Sequence, residues 1–182
     1  VFTNALAKKF PEINASIGEP IFIFPKGMLK ELSDSESEEY IKPFFKNSDI
    51  HRYVTSNDSN KELIYADGIQ KVPNTIIKYL ERFKPLLIER REFRDGRRTW
   101  YNLHWPREQQ LFDGEKIVLP YRTKNNTFAY SNKPFYASTD VYFITERSEK
   151  IGLLPLLAIL NSKLMFLWLF NKGKDSYCNA RR

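Results

Sequence analysis

Five arginines crowd into a short part of the segment ERREFRDGRRTWYNLHWPREQQ, residues 89–110, and they raise the question of chemistry first. Arginine forms paired hydrogen bonds with phosphate oxygens or with O6 and N7 of guanine. His104 follows among aromatic residues, and histidine is a common acid–base catalyst. The segment therefore predicts a surface that binds an anion. Its arginines are Arg90, Arg91, Arg94, Arg97 and Arg98.

A second group of basic and amide side chains lies between residues 121 and 133. Arg122, Lys124 and Lys133 carry three positive charges there, and no acidic residue offsets them. Asn125 and Asn126 are suited to paired bonds with adenine, although asparagine is also common at hairpin tips. Positive charge is thus localised in two segments, as expected of a nucleic-acid-binding surface.

Each of these residues also has an ordinary structural interpretation. Arg90 and Arg91 could pair with Glu89 and Glu92 at a solvent-exposed helix end, which would leave fewer cations for a ligand. His104 is more typical of a polar residue satisfied by the fold than of a catalyst. The neighbouring aromatics are more typical of core or strand-face packing than of stacking on bases.

Motifs for catalysis and metal binding are missing from the sequence. The seven glycines form no phosphate loop, no nucleophile elbow occurs, and one cysteine with two histidines gives too few soft ligands for zinc. Glu108, Asp113 and Glu115 cluster near a turn, and paired carboxylates hold magnesium in nucleases. The nuclease pattern of an Asp before a Glu-x-Lys strand is not found, so a small metal-dependent nuclease is an alternative only.

Composition predicts a folded and basic protein. The chain has 182 residues, of which 42% are hydrophobic and 15% aromatic, enough for a sizeable core. A net charge of +7 favours an anionic partner. Cys178 is the single cysteine and cannot form an internal disulfide, which fits a reducing, cytoplasmic setting.

The longest apolar run, residues 152–170, is long enough to be considered as a membrane-spanning segment. Pro155, Asn161 and Lys163 interrupt it, and charged or amide groups are costly at the centre of a bilayer. The run therefore predicts buried helices. Val1 begins the chain without a basic-then-apolar leader, so we expect no signal peptide, and the missing Met suggests a piece of a longer polypeptide.

A long helix must position the arginine run. Apolar residues at steps of three and four predict one amphipathic helix within residues 72–92, and Asn74 is a plausible N-cap. Pro85 should kink this helix or split it in two. The arginines begin where it ends, near the negative end of its dipole.

Strands and a terminal helical pair complete the predicted architecture. The β-rich runs are TWYNL, KIVLPYR, TFAYS and VYFIT, with KNN at 124–126 as a hairpin tip. Helical periodicity returns at Gly152, and Asn161–Ser162 should divide it, with Ser162 capping the second helix. We predict a single α+β domain over residues 1–182, with mixed, largely antiparallel strands.

Several motifs also occur in a fixed order along the chain. YIKPFFKNSDIHRY, residues 40–53, has the pattern Lys-Pro-x-x-Lys-x-x-Asp-Ile-x-Arg-Tyr. The segments YLERFKPLLIERRE, TWYNLHWPR, KIVLPYR and YASTDVYFIT follow, and LLPLLAILNSKLMFLWL ends the series. In this order, over most of residues 20–171, they resemble the TaqI-like C-terminal specificity domains.

The resemblance implies target recognition without chemistry in this fragment. In that family the domain reads a DNA sequence for adenine-specific DNA methyltransferases and fused restriction-modification enzymes, with cousins among type I specificity subunits. The implied partners are double-stranded DNA and a methyltransferase domain of the same polypeptide. The implied cofactors belong to the parent enzyme: S-adenosylmethionine, and magnesium where the parent cleaves DNA.

The signature residues extend the predicted set of contacts. Lys46 and Arg52 match the signature and are added as DNA contacts, although Asp49 between them could equally anchor a turn. The predicted DNA-binding residues are Arg90, Arg91, Arg94, Arg97, Arg98, Arg122, Lys124, Asn125, Asn126, Lys133, Lys46 and Arg52. A remaining alternative is an interaction module in which LMFLWLF, residues 164–170, packs against another subunit.

Overall fold

The computed structural model describes residues 1–29, 34–68, 71–104, 106–145 and 151–172, and its architecture is α+β, as predicted. Cys178 and Trp105 lie outside the described residues. The helices are α1 (Asn4–Lys9), α2 (Asn74–Glu81), α3 (Lys84–Leu87), α4 (Arg91–Arg94), α5 (Gln109–Asp113), α6 (Leu153–Leu160) and α7 (Lys163–Lys172). The strands are β1 (Ile23–Pro25), β2 (Ile41–Phe45), β3 (Tyr53–Val54), β4 (Lys61–Ile64), β5 (Lys116–Pro120), β6 (Ala129–Ser131), β7 (Tyr136–Ala137) and β8 (Val141–Ile144).

The chain divides into two compact units. The first unit comprises Val1–Phe44 and Asn60–Arg107, and the second comprises Phe45–Ser59 and Glu108–Arg182. The arginine run belongs to the first unit, and the other seven predicted DNA contacts belong to the second. The assignment of residues 1–182 to a single domain stays a prediction.

In the first unit, an antiparallel sheet in the order β1-β4-β2 stands beside the broken helix α2–α3. Ile76, Leu80, Phe83 and Leu87 are buried at steps of three and four, which confirms the amphipathic pattern. The helix is not one long rod, because a turn at residues 82–83 separates α2 from α3. Pro85 lies in the first turn of α3, where its missing N–H costs no hydrogen bond.

The segment TWYNL, residues 99–103, is a turn, so the prediction of a strand there was wrong. Asn102 N donates to Thr99 O at 3.3 Å, and Leu103 N donates to Ala66 O at 2.8 Å. The one buried residue of the segment is the polar Asn102, so its aromatics do not form the buried face of a strand. High β-propensity was outweighed here by tertiary contacts.

In the second unit, β5 is central to a sheet in the order β3-β6-β5-β8. It pairs antiparallel with β6 and β8, whereas β3 runs parallel to β6, so the sheet is mixed and largely antiparallel, as predicted. Val118 packs on one face with Phe45, Ile50 and Phe135. Ile117 packs on the other face with Phe128 and with Leu153 and Leu157 of α6. Both faces of β5 are therefore covered, which explains its continuous apolar sequence.

The C-terminal helical pair forms as predicted. Helices α6 and α7 are bent by 66° at their junction. Ser162 caps α7 by accepting a hydrogen bond from Met165 N at 3.1 Å. Among the described residues no helix is by itself both long and apolar enough to cross a bilayer; these two reach that length only as a bent pair.

Candidate nucleic-acid interface

The backbone of the arginine run closes around one buried carboxylate residue, Glu92. Its carbonyl oxygen accepts hydrogen bonds from Arg97 N at 2.9 Å and Arg98 N at 3.1 Å, and Gly96 makes the turn with a φ of +69°. Glu92 is 6% exposed, and its Oε2 lies 2.8 Å from His104 Nδ1. His104 thus lies against the buried carboxylate of the turn that carries the arginines.

Two of the five arginines are used by the fold. Arg90 donates to Asn102 O at 3.0 Å, and its guanidinium lies 5.0 Å from the centre of the Phe22 ring. Burial lowers the pKa of Arg90, and the charge of Glu92 opposes this shift. Arg98 donates to the carbonyl of Asp67. Both side chains are half-buried, so they stabilise the segment more than they present charge to a ligand.

The other three arginines, Arg91, Arg94 and Arg97, are exposed. Arg91 is 80% exposed and makes a loose contact of 3.4 Å with Asp95, which contributes little at a surface. Within the described part of the chain, the side chains of Arg94 and Arg97 have no hydrogen-bond or ion-pair partner. These three residues, named here the arginine ridge, are the cations of the run that are available to an external anion.

The structural alternative, in which Arg90 and Arg91 pair with Glu89 and Glu92, holds in part: the charge of Glu92 acts on Arg90, whereas the arginine ridge is not paired with either acid. Glu89 pairs with Lys9 of α1, and Glu92 contacts His104, so neither acid neutralises the ridge. Among the described residues, the ion pair of the ridge is the weak contact between Arg91 and Asp95 at the end of α4.

Gly68 packs closely against the side chains of Asn102 and Arg98. Its φ is +86°, and a Cβ there would lie 2.6 Å from Asn102 Nδ2 and 3.3 Å from Arg98 Nη1. We expect Gly68→Ala to lower the free energy of unfolding by about 2–3 kcal/mol, from backbone strain and the clash together. Urea unfolding of the variant and the wild type measures this loss in the free energy of unfolding.

Gly96→Ala is the matched control, because Gly96 also has a positive φ but nothing lies within 4 Å of its Cβ position. It should cost only about 1 kcal/mol, since backbone strain alone is added. Equal losses from the two substitutions would show that the packing of Asn102 and Arg98 against Gly68 contributes nothing.

In the second unit, the loop between β5 and β6 exposes Arg122, Lys124 and Asn125, as predicted. Thr123 braces the tip by donating from Oγ1 to Asn125 O at 2.9 Å. The guanidinium carbon of Arg122 lies 5.5 Å from the centre of the Tyr121 ring. The loop therefore presents two cations and one amide on a backbone that is held by its own hydrogen bonds.

Asn126 and Arg52 are placed differently, because both bind the junction of α6 and α7. Asn126 Nδ2 donates to Leu160 O at 2.8 Å and to Ser162 O at 3.0 Å, and Arg52 donates to Asn161 O at 2.5 Å. The last carbonyls of a helix lack partners within the helix, so these side chains satisfy those of Leu160 and Asn161 at the end of α6. Their geometry favours a structural role over contact with DNA, most clearly for Asn126, which is 8% exposed.

Asn161 completes this junction by pairing with the backbone of Phe128. Its Oδ1 accepts from Phe128 N at 3.2 Å, and its Nδ2 donates to Phe128 O at 2.8 Å. Asn161 is fully buried. The Asp-Ile-x-Arg-Tyr and Leu-Asn-Ser-Lys motifs, far apart in sequence, therefore meet here.

The remaining signature residues anchor the turn before β3. Asp49 accepts a hydrogen bond on Oδ2 from Lys46 N at 2.7 Å, the anchoring role that was considered for it. The Lys46 side chain is exposed and stays a predicted DNA contact. Tyr53 has a φ of 77° and donates its N–H to Phe128 O at 2.8 Å.

Lys133 is held by a buried lysine that sequence reasoning missed. Lys116 is fully buried at the start of β5, and its Nζ donates to Gly114 O at 2.6 Å and Lys133 O at 2.9 Å. The exposed side chain of Lys133 thus projects from a fixed backbone. The signal in the sequence was a charged residue at the beginning of the apolar strand KIVLP.

Lys116 gives a prediction of pH dependence. Desolvation lowers its pKa from 10.5 to about 8, although the charge of Asp113 opposes the shift. Between these values the unfolded chain binds more protons than the folded one, so the free energy of unfolding should rise with pH, by up to about 3 kcal/mol between pH 8 and 10.5. Below pH 8 this contribution is constant.

The control for this prediction is Lys116→Met, which keeps side-chain length and removes the titrating group. Urea unfolding of both proteins between pH 7 and 10.5 isolates Lys116, because the other titrating groups are shared. The wild-type minus variant difference should climb above pH 8; a flat difference would contradict a depressed pKa.

Of the carboxylate residues of the nuclease alternative, Glu108 and Glu115 line one open pocket, and Asp113 is engaged elsewhere. Asp113 accepts hydrogen bonds from the Tyr136 hydroxyl at 3.0 and 3.2 Å, and Glu108 precedes α5. Across the described ranges, no group of three or more His, Cys, Asp or Glu side chains is placed to hold a metal ion. Nothing in this geometry favours a nuclease.

Comparison with known proteins identifies a family and several structural neighbours. The family model of the TaqI-like C-terminal specificity domain matches residues 42–177. A solved structure of the type IIL restriction-modification enzyme MmeI in complex with DNA resembles the chain with a TM-score of 0.54 and 14% sequence identity. The match covers 84% of this chain and 20% of that enzyme, so the chain spans about a fifth of its length, and the likeness is one of fold.

Proposed function

The chain belongs to the family of TaqI-like C-terminal specificity domains, as its motifs predicted, and on this premise we propose that it recognises a target sequence in double-stranded DNA. The observation that carries the proposal is the arginine ridge. Three exposed cations project from a backbone that is closed around buried Glu92. Because the backbone beneath these cations is already ordered, contact with phosphates does not require that backbone to become ordered on binding.

The two groups of exposed residues have different tasks in this proposal. Arg91, Arg94 and Arg97 bind phosphates, which fixes the position of the domain on the duplex. Arg122, Lys124 and Asn125 lie on a loop, and arginine and asparagine there supply the paired donors that read guanine and adenine edges. The backbone of the segments that carry these exposed residues is supported by four other side chains, those of Arg90, Arg98, Arg52 and Asn126.

The catalytic part of the system is inferred to lie elsewhere in the polypeptide. The neighbouring enzyme is described as a restriction-modification enzyme, and the chain matches a fifth of it. We infer a methyltransferase domain as the partner in the same polypeptide. S-adenosylmethionine, magnesium and a cytoplasmic location stay predictions for that parent protein, as does an interaction module for residues 164–170.

Salt dependence tests the proposed function. If about five phosphates are neutralised, the logarithm of affinity should fall with the logarithm of salt concentration at a slope of about −4 to −5. Fluorescence anisotropy of a labelled duplex, titrated with the 182-residue chain between 50 and 300 mM salt, measures this slope. Affinity that does not change with salt, or no binding to any duplex, would contradict the proposal.

A further inference from the structure

One face of the β5–β8 pair is covered at one end and open at the other. Ile117 pairs with Ile144, and Leu119 pairs with Tyr142. Because side chains alternate along a strand, Ile117, Leu119 and Tyr121 share one face. Helix α6 packs over the end with Ile117 and Ile144. Beyond that cluster, Tyr142 and Tyr121 are 47% and 50% exposed.

The two tyrosines form an ordered pair with an adjacent cation. Their ring centres are 5.4 Å apart with an angle of 83° between the ring planes. The hydrogen bond from Tyr121 N to Asp140 O, 2.7 Å, fixes the backbone of Tyr121 just beyond the end of β5. Arg122 lies against the Tyr121 ring, with its guanidinium carbon 5.5 Å from the ring centre. Tyr121, Tyr142 and Arg122 are named here the tyrosine platform.

The chemistry of the platform fits a nucleobase. Tyrosine rings and a guanidinium plane both stack on bases, and each base has a π-face, whatever its identity. Exposed Lys124 follows two residues after Arg122, so positive charge for a flanking phosphate is close in sequence. Asp140 lies opposite Tyr121, and its Oδ2 accepts from Ser138 Oγ at 3.3 Å; its carboxylate is suited to an exocyclic amino group of a base.

We propose that the tyrosine platform stacks on a nucleobase that is unstacked from the DNA bound by this domain. This rests on the proposed function, and it adds a binding site for the face of a single base to a surface otherwise argued from contacts with phosphates and with the edges of paired bases. A fully paired, stacked duplex presents no free base face, so the platform favours DNA with a locally opened base pair. The competing interpretation is that the platform binds a protein surface. In that case an unpaired base would not increase the affinity of the chain for DNA.

A bulged duplex that carries 2-aminopurine tests the proposal. The 182-residue chain is titrated into two labelled duplexes that differ only by one extra, unpaired 2-aminopurine. We expect tighter binding to the bulged duplex, on the order of tenfold. Fluorescence of the 2-aminopurine should fall on binding, because stacking on tyrosine quenches it.

Three variants assign the effect to the platform. The double substitution Y121A and Y142A should abolish both the preference and the quenching, whereas Y121F and Y142F should keep them, because the ring faces remain. Trp168→Ala removes an exposed aromatic of α7 and should change neither. Thermal unfolding confirms that each variant is folded.

The outcomes separate this inference from the proposed function. If the wild type binds both duplexes equally and the 2-aminopurine is not quenched, the platform does not hold a base, although DNA binding stands. The same conclusion follows if the alanine double variant keeps the preference. If neither duplex is bound at all, the proposed function itself fails.

Discussion

Asn161→Ala should lower the free energy of unfolding by about 2–4 kcal/mol. The substitution removes both hydrogen bonds to the backbone of Phe128, at 3.2 and 2.8 Å, from a fully buried position. It leaves the buried N–H of Phe128 without a partner, which costs about 1–3 kcal/mol, and it removes one of the two hydrogen bonds that Phe128 O accepts, since the one from Tyr53 N at 2.8 Å remains. Urea unfolding at pH 7 measures the loss.

Asn125→Ala is the matched control for Asn161. Asn125 is exposed at the loop tip, so its loss should change stability by less than about 0.5 kcal/mol. If Asn161→Ala were as mild as this control, the junction of α6 and α7 would not be held by the contacts described above.

The second large effect concerns affinity for DNA. Replacing Arg91, Arg94 and Arg97 together by glutamine should weaken binding to a duplex by about a hundredfold near 0.1 M salt, and make the salt slope shallower by about 3. These side chains are exposed and contribute little to the fold, so stability should stay close to that of the wild type. Anisotropy across a salt series measures both quantities.

A charge-matched control separates position from total charge. Lys8, Lys71 and Lys78 are exposed lysines of the same unit, outside the ridge. Their replacement by glutamine removes the same three charges and should weaken binding only slightly, because no phosphate contact is lost. Equal effects of the two triple variants would show that net charge alone governs affinity.

The sequence predicted most of the helices and strands and the family of the chain, because these depend on patterns of residues that are close in sequence. The spacing of apolar residues at steps of three and four predicted α2 and α3, and Pro85 predicted the break between them. The ordered motifs identified the family without any knowledge of tertiary contacts. The exposed cations Arg94, Arg97, Lys124 and Lys133 were also found from composition, since a surface charge needs no distant partner.

The roles of individual polar residues could not be read in this way. Arg52 and Asn161 are 109 residues apart, and only the fold brings the guanidinium of one to the carbonyl of the other. Asn126 resembled a hairpin-tip residue, yet its amide is buried against the end of α6. Burial of the Lys116 ammonium group depends on hydrogen bonds to two carbonyls that come from separate turns. These contacts are set by topology, which sequence spacing does not encode.

Base selectivity tests the central claim most directly. A library of duplexes with a random central segment is bound by the 182-residue chain at 0.15 M salt, and the retained duplexes are sequenced. We predict enrichment of one short sequence, bound at least about tenfold more tightly than a scrambled duplex of equal length. Retained duplexes as random as the starting library would contradict a role in target recognition.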